Sequence, residues 1–202
     1  MIHLFAMPGS GNSYKVQLLC SLLDIQTKQT DMSALDGSTQ SEDYLAKNPI
    51  GKLPLLKLED GRYLPESGAI LHYLASGTDF LPSDSYDHAM CLSWIFFEQY
   101  SHEPAIAVRR SISLYPERAA QATPELMASL LEKGNKALGV METQLQKSPF
   151  LTGDTPTIAD IALFGYSHDC HKGGFDLGDF PGIQAWIKRI EGLPGYLAMP
   201  LG

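Results

Sequence analysis

The order of strand-like and helix-like patterns at the start of the chain constrains the fold more than any other feature. Ile2–Ala6 is a short, largely apolar run typical of a buried strand, and the stretch Pro8–Gly11 interrupts it. Val16, Leu19 and Leu23 then recur at helical spacing. The chain is therefore expected to begin with a strand, a loop and a helix.

A second strand and a second helix are predicted next. Thr27–Met32 alternates in the manner of a strand, and Ser41–Lys47 is typical of a short helix. Asn48-Pro49 ends that helix, because the residue before a proline disfavours helical backbone angles. The opening order is thus β-α-β-α.

A hairpin follows. Leu55–Leu58 and Arg62–Leu64 are β-rich runs on either side of the turn dipeptide Asp60-Gly61, and Ser67 begins another helical pattern. The complete order, β-α-β-α-β-β-α, combines a crossover with a hairpin. It predicts a small mixed sheet with helices on its faces.

The rest of the chain shows only helical patterns of comparable strength. They follow Ser76-Gly77-Thr78 and a polar stretch, so a domain boundary is expected near residues 77 to 84. We predict an α/β domain at residues 1–77 and an all-helical domain at residues 84–202. The main predicted helical segments are Met90–Tyr100, Glu125–Leu145, Thr157–Ser167 and Ile183–Ile190.

Charge and hydropathy exclude several classes of function. The 202 residues carry a formal net charge of -8, and a chain of this sign lacks the cationic surface that binds phosphate backbones. No apolar run approaches the roughly 20 residues that a membrane span requires. The segment Met1 to Ala6 lacks the charged region and apolar core of a signal peptide. We expect no nucleic-acid or membrane partner and a cytoplasmic location.

The cysteines indicate where a reactive thiol would come from. Cys20, Cys91 and Cys170 are widely separated and form no Cys-x-x-Cys pair. A thiol that does chemistry here is therefore expected to belong to a ligand. His168-Asp169-Cys170-His171 has no matching pair of ligands elsewhere, so no metal is expected.

Two motifs, in this order of elements, carry a resemblance to a known family. Asn48–Pro54 reads Asn-Pro-Ile-Gly-Lys-Leu-Pro, and Leu64–Ile70 reads Leu-Pro-Glu-Ser-Gly-Ala-Ile. With the intervening hairpin they resemble the cytosolic glutathione transferases, whose fold is a thioredoxin-like domain followed by an all-helical one. Phe96–Pro104 is similar to a stretch in bacterial members, and Thr157–Asp160 is similar to the family's helix-capping box.

The resemblance implies a set of glutathione-binding residues. Pro54 would follow a cis peptide bond and expose the backbone of Leu53 to the cysteinyl part of glutathione; the alternative is an ordinary trans turn. Glu66 and Ser67 would hold the γ-glutamyl end at a helix amino terminus, although Ser67 is also a favoured N-cap. Lys52 would reach the glycyl carboxylate, or would simply be solvated.

The loop after the first strand is where the family places its thiol-activating group. No tyrosine precedes the helix, so the segment resembles the serine and threonine-asparagine types. We predict Ser10 as donor to the sulfur and Asn12 as a second donor or orienting residue, with Ser13 as fallback and Tyr14 as a further alternative. Ser10 and Asn12 could instead only cap the helix.

The predicted function is transfer of glutathione, through its activated thiol, to a small electrophilic or hydrophobic substrate. Glutathione-dependent disulfide or peroxide reduction is an alternative, and a noncatalytic binding or stress-response scaffold is another. The second substrate is expected between the two domains, with Tyr100, Arg109 and Tyr166 as walls of its site. The resemblance also implies a homodimer.

Overall fold

The computed structural model describes residues 1–200 and divides the chain into two compact units. Among the described residues, the first unit comprises Met1–Thr78 together with residues 191–200, and the second comprises Asp79–Ile190. The boundary predicted for the helical domain, residues 84–202, differs from this arrangement at its carboxyl end. The returning segment is attached by the Ser21 hydroxyl, which donates to the carbonyl of Gly195 at 2.7 Å.

The sheet of the first unit has the predicted mixed topology. Its strands are β1 (Ile2–Ala6), β2 (Thr27–Asp31), β3 (Leu55–Lys57) and β4 (Tyr63–Pro65), in the order β2-β1-β3-β4. β1 and β2 are parallel, whereas β3 is antiparallel to both of its neighbours. The hairpin around Asp60-Gly61 therefore extends the sheet that the first crossover begins.

Helices cover this sheet because their apolar residues recur on one side. The helices are α1 (Gly11–Leu22), α2 (Glu42–Leu45) and α3 (Ser67–Ala75). Side chains from β1, α1, β3, the residue after β3 and α3 meet in one buried cluster, which burial of apolar surface stabilises. Its members are Leu4, Ala6, Val16, Cys20, Leu56, Leu58 and Ile70.

Strand register brings three loops to one edge of the sheet. Leu55, the first residue of β3, pairs with Phe5 of β1 on one side and with Pro65 of β4 on the other. Because β3 runs against both neighbours, it begins where they end. The chain before Leu55, the loop after β1 and the start of α3 therefore lie beside one another.

The second unit is helical, as predicted. Short 3-10 turns and a π-helical turn at Glu98–His102 link or extend its helices. Within residues 1–200, no helix is long and apolar enough to cross a membrane. The helices are α4 (Ser85–Phe97), α5 (Glu103–Leu114), α6 (Pro124–Leu145), α7 (Ile158–Ser167) and α8 (Pro181–Glu191).

The capping box predicted at Thr157 and Asp160 is confirmed, and it does more than cap α7. The buried Asp160 carboxylate accepts the backbone N–H of Thr157 at 2.9 Å and that of Leu151 at 2.9 Å. It also accepts the indole N–H of Trp186 at 2.8 Å. One carboxylate thus joins the start of α7, the loop before it and α8.

Asp160→Ala is expected to destabilise the protein by about 3 kcal/mol or more, since it leaves several buried donors unpaired at about 1–3 kcal/mol each. Urea unfolding followed by circular dichroism measures the loss. Asp154→Ala, at an exposed carboxylate six residues earlier, is the control and should change stability by less than about 0.5 kcal/mol. A loss below about 1 kcal/mol for Asp160→Ala would contradict this role.

Candidate functional site

Ser10 occupies the N-cap position of α1 without acting as a side-chain cap. Its backbone is extended, with φ -83° and ψ 124°, and its side chain makes no capping hydrogen bond. No other partner of that hydroxyl is present within residues 1–200. The Ser10 side chain therefore does not cap α1. A half-buried hydroxyl at a helix amino terminus is left able to donate to a ligand.

The other two hydroxyl candidates near α1 have structural partners. The buried Ser13 hydroxyl accepts the backbone N–H of Met7 at 2.9 Å, which closes the loop between β1 and α1. The buried Tyr14 hydroxyl donates to the carbonyl of Leu197 at 2.7 Å and so holds the returning carboxyl-terminal segment. Each side chain stabilises the frame around Ser10.

Asn12 connects the start of α1 with the start of α3. Its Oδ1 accepts a hydrogen bond from Lys15 Nζ at 2.7 Å and one from Ser67 Oγ at 3.4 Å. Lys15 is 0% exposed. Its place at this site was not predicted from the sequence, because lysine is usually exposed.

The start of α3 carries backbone strain of the kind found at functional sites. Glu66, its N-cap residue, has φ 69° and ψ 117°, a combination that residues other than glycine rarely adopt. Its exposed side chain makes no capping hydrogen bond. Ser67 is buried and begins the helix, so unpaired backbone N–H groups and the positive dipole end lie beside it.

The segment before β3 presents free backbone groups. The Leu53–Pro54 peptide bond is cis, as predicted. Among residues 1–200, no hydrogen bond occupies the backbone N–H or C=O of Leu53. The Lys52 side chain is exposed, while its carbonyl accepts the Tyr44 hydroxyl at 2.7 Å and the Asn48 amide at 2.9 Å.

Several residues hold this segment in place, in a role that the sequence did not predict for them. Asn48 is buried, and its Oδ1 accepts the N–H of Ile50 at 3.1 Å. Gly51 has φ +66°, and the Gln40 amide donates to its carbonyl at 3.0 Å. The positive φ favours glycine at this position, and a Cβ there would displace the Gln40 amide, whose Nε2 would lie 2.5 Å away. Burial raises the pKa of Tyr44, which keeps its hydroxyl a donor.

The protein's own thiols are unsuited to nucleophilic chemistry. All three cysteines are free and buried. Burial raises the pKa of Cys20 to about 11 and that of Cys170 to about 12, and it also raises the pKa of Cys91. Thiolates are the reactive form.

Within residues 1–200, no group of three or more His, Cys, Asp or Glu side chains could hold a metal ion.

The residues predicted to line a second-substrate site all lie in the helical unit. Tyr100 is 88% exposed, whereas Tyr166 is buried. Arg109 donates to the carbonyl of Met127 at 3.1 Å and also to that of Gly173, so it links parts of this unit. Their role toward a second substrate stays a prediction.

Tyr100 borders a cavity of about 510 Å³, lined also by Phe97, Ser101, Pro104, Ala105, Leu130, Lys133, Lys136, Ala137 and Val140.

Comparison with known proteins assigns both units. The glutathione S-transferase N-terminal domain matches residues 1–76, and the glutathione S-transferase C-terminal domain matches residues 118–189. Glutathione S-transferase F13 of Arabidopsis thaliana is 31% identical over 79% of this chain and 76% of its own length. Disulfide-bond oxidoreductase YfcG of Escherichia coli K12 is 26% identical over 96% of this chain and 92% of its own.

Solved structures agree with that assignment. The crystal structure of a glutathione S-transferase from Pseudomonas fluorescens Pf-5 is 47% identical, with a TM-score of 0.95 over 98% of each chain. The fold is thus shared over nearly the whole of both chains. The chain belongs to the glutathione S-transferase family.

Proposed function

We propose that the chain binds glutathione at the edge of its sheet and activates the glutathione thiol for transfer to a small electrophile. Family membership supports the ligand. The observation that carries the proposal is that the Ser10 hydroxyl makes no capping hydrogen bond. Asn12, two residues further along, is hydrogen-bonded to Ser67. A hydroxyl, an amide and two helix amino termini converge there, and all of them stabilise negative charge.

The three ends of glutathione have complementary groups in the first unit. The free N–H and C=O of Leu53 can pair with the cysteinyl backbone as an added strand does. The amino terminus of α3, with Ser67 at its first position, suits the γ-glutamyl carboxylate, and Glu66 suits the adjacent ammonium. The exposed ammonium of Lys52 suits the glycyl carboxylate.

Thiol activation requires preferential stabilisation of the thiolate. A free cysteine thiol has a pKa of about 8.5, and lowering that pKa by one unit corresponds to about 1.4 kcal/mol of thiolate stabilisation. Hydrogen bonds to a charged group contribute about 1.5–3 kcal/mol, so Ser10 and Asn12 together suffice to make the thiolate abundant at neutral pH. The thiol proton leaves to solvent, the sulfur forms a bond to the electrophilic carbon, and the leaving group departs with its electron pair.

Disulfide reduction is the second candidate reaction, and the relationship to the oxidoreductase from Escherichia coli favours it. The thiolate would attack one sulfur of a disulfide, forming a mixed disulfide and releasing the other sulfur as a thiolate. A second glutathione would then release the remaining substrate thiol and leave oxidised glutathione. That second thiol must be glutathione's, because Cys20, Cys91 and Cys170 are buried with raised pKa values.

Family membership also supports a homodimer and a cytoplasmic location, which we include in the proposal. Light scattering coupled to size-exclusion chromatography measures the mass. A dimer of the 22.1 kDa chain agrees with the proposal, and a monomer at all accessible concentrations disagrees with it.

Calorimetric titration is expected to show saturable glutathione binding that Ser67→Ala weakens about tenfold or more. The reason is the loss of a charge-assisted contact of about 1.5–3 kcal/mol. Glu66→Gln should weaken binding in the same direction. Ser76→Ala changes an exposed serine just after α3 and should bind as the wild type does. Absence of binding to the wild type at millimolar glutathione would overturn the proposed function.

Ser10→Ala is expected to raise the apparent pKa of bound glutathione by about one unit, equivalent to about 1.4 kcal/mol of thiolate stabilisation. The pH at which the reaction rate increases should rise by the same amount, while the affinity for glutathione stays nearly unchanged. Thermal stability should also be unchanged, because the hydroxyl makes no capping bond. Ultraviolet titration of the thiolate beside a thermal melt separates these effects. An unmoved pKa would exclude Ser10 as the activating group.

A panel of assays on the purified protein decides between the two reactions. Thioether transfer to an aryl halide or epoxide consumes one glutathione and yields no oxidised glutathione. Disulfide or hydroperoxide reduction instead produces oxidised glutathione in proportion to substrate. We expect the first product to dominate. Dominance of oxidised glutathione with every substrate would replace transfer by reduction, and no turnover with measurable binding would favour the scaffold.

A further inference from the structure

We propose that Lys15 is a positioning residue that fixes the orientation of the Asn12 amide, so that the amide nitrogen rather than the oxygen meets the glutathione sulfur. The inference rests on the proposed function. Lys15 Nζ donates to Asn12 Oδ1 at 2.7 Å, and the side chain is wholly buried. The two residues are three positions apart on α1, a spacing that places side chains on the same helix face.

The chemistry of the two groups allows one orientation only. The ends of an asparagine amide are nearly equal in shape, but its oxygen accepts hydrogen bonds and its nitrogen donates them. A lysine ammonium has three donors and no acceptor, so it must face Oδ1. The Ser67 hydroxyl also lies 3.4 Å from this oxygen, but a hydroxyl can donate or accept, so the ammonium is the group that fixes the orientation. A flipped amide would set its NH₂ group against the ammonium.

This orientation determines what Asn12 offers a ligand. With Oδ1 held by Lys15, the atom through which the amide can stabilise a thiolate is Nδ2, which carries two hydrogens. An amide oxygen turned toward the sulfur would repel the thiolate instead. The ammonium also polarises the amide and makes its N–H groups stronger donors. Lys15 thereby acts on the sulfur through Asn12.

A double-mutant cycle on the thiol pKa tests the proposal. Lys15→Met and Asn12→Ala are each expected to raise the apparent pKa of bound glutathione by a similar amount. The double variant should raise it no further than either single variant, because both remove the same amide donor. If Lys15→Met leaves the pKa unmoved, or adds its full shift in the Asn12→Ala background, Lys15 does not act through Asn12.

A crystal structure without glutathione tests the inference independently of the proposed function. At a resolution of about 1.2 Å or better, the Asn12 oxygen and nitrogen are distinguishable. We expect one amide orientation in the wild type and two orientations, or the reversed one, in Lys15→Met. A single unchanged orientation in the variant would overturn the inference even if glutathione binds. Absence of binding with the expected orientations would instead overturn the function alone.

Further variants guard against a folding defect. Circular dichroism and a thermal melt establish whether Lys15→Met is folded. Lys15→Leu also removes every donor, so it replaces Lys15→Met if that variant is unfolded, with the same expected results. Lys15→Arg keeps a cationic donor and is expected to retain the wild-type thiol pKa. An Arg variant that is folded and behaves as the Met or Leu variant would contradict the proposal.

Discussion

The pairing of Leu55 with strands on both sides is the constraint on which the candidate site depends. Leu55 opposes Phe5 in β1 and Pro65 in β4, so the central strand begins where its two neighbours end. The segment before β3 and the amino termini of α1 and α3 are thereby set at one edge of the sheet. A shift of one residue in either pairing would turn the buried side chains of β3 to the opposite face. Packing of the buried core therefore fixes the register of β3, and the register fixes the positions of the residues at the candidate site.

Two helix amino termini meet at this edge, and the link between them is polar. Asn12 at the start of α1 accepts from Ser67 at the start of α3, with the buried Lys15 behind it. Helix amino termini carry unpaired N–H groups and partial positive charge, which favour anions. This polar edge and the free backbone of Leu53 are the features on which the proposed binding of glutathione rests.

Local patterns predicted most of the fold. The strands, the turn at Asp60-Gly61 and the capping box at Thr157 depend on neighbours a few residues away, and the structure has each of them. The attachment of the chain from Glu191 to the first unit was not predictable in this way. It depends on contacts such as that of Tyr14 with Leu197, which are distant in sequence.

The candidate site was predictable in its residue types but not in all of its partners. The resemblance gave Ser10, Asn12 and Glu66 as predicted site residues. It could not show that the Ser10 hydroxyl leaves α1 uncapped or that Lys15 is buried, because both depend on side-chain packing in three dimensions. Lysine is usually exposed, so its burial is informative only once the structure is known.

A crystal structure of the protein with glutathione bound tests the central claim most directly. The account predicts the sulfur within hydrogen-bonding distance of Ser10 Oγ and Asn12 Nδ2, and the cysteinyl backbone paired with Leu53. The γ-glutamyl carboxylate should lie at the amino terminus of α3. A sulfur that faces away from both side chains, or a tripeptide bound elsewhere on the molecule, would contradict it.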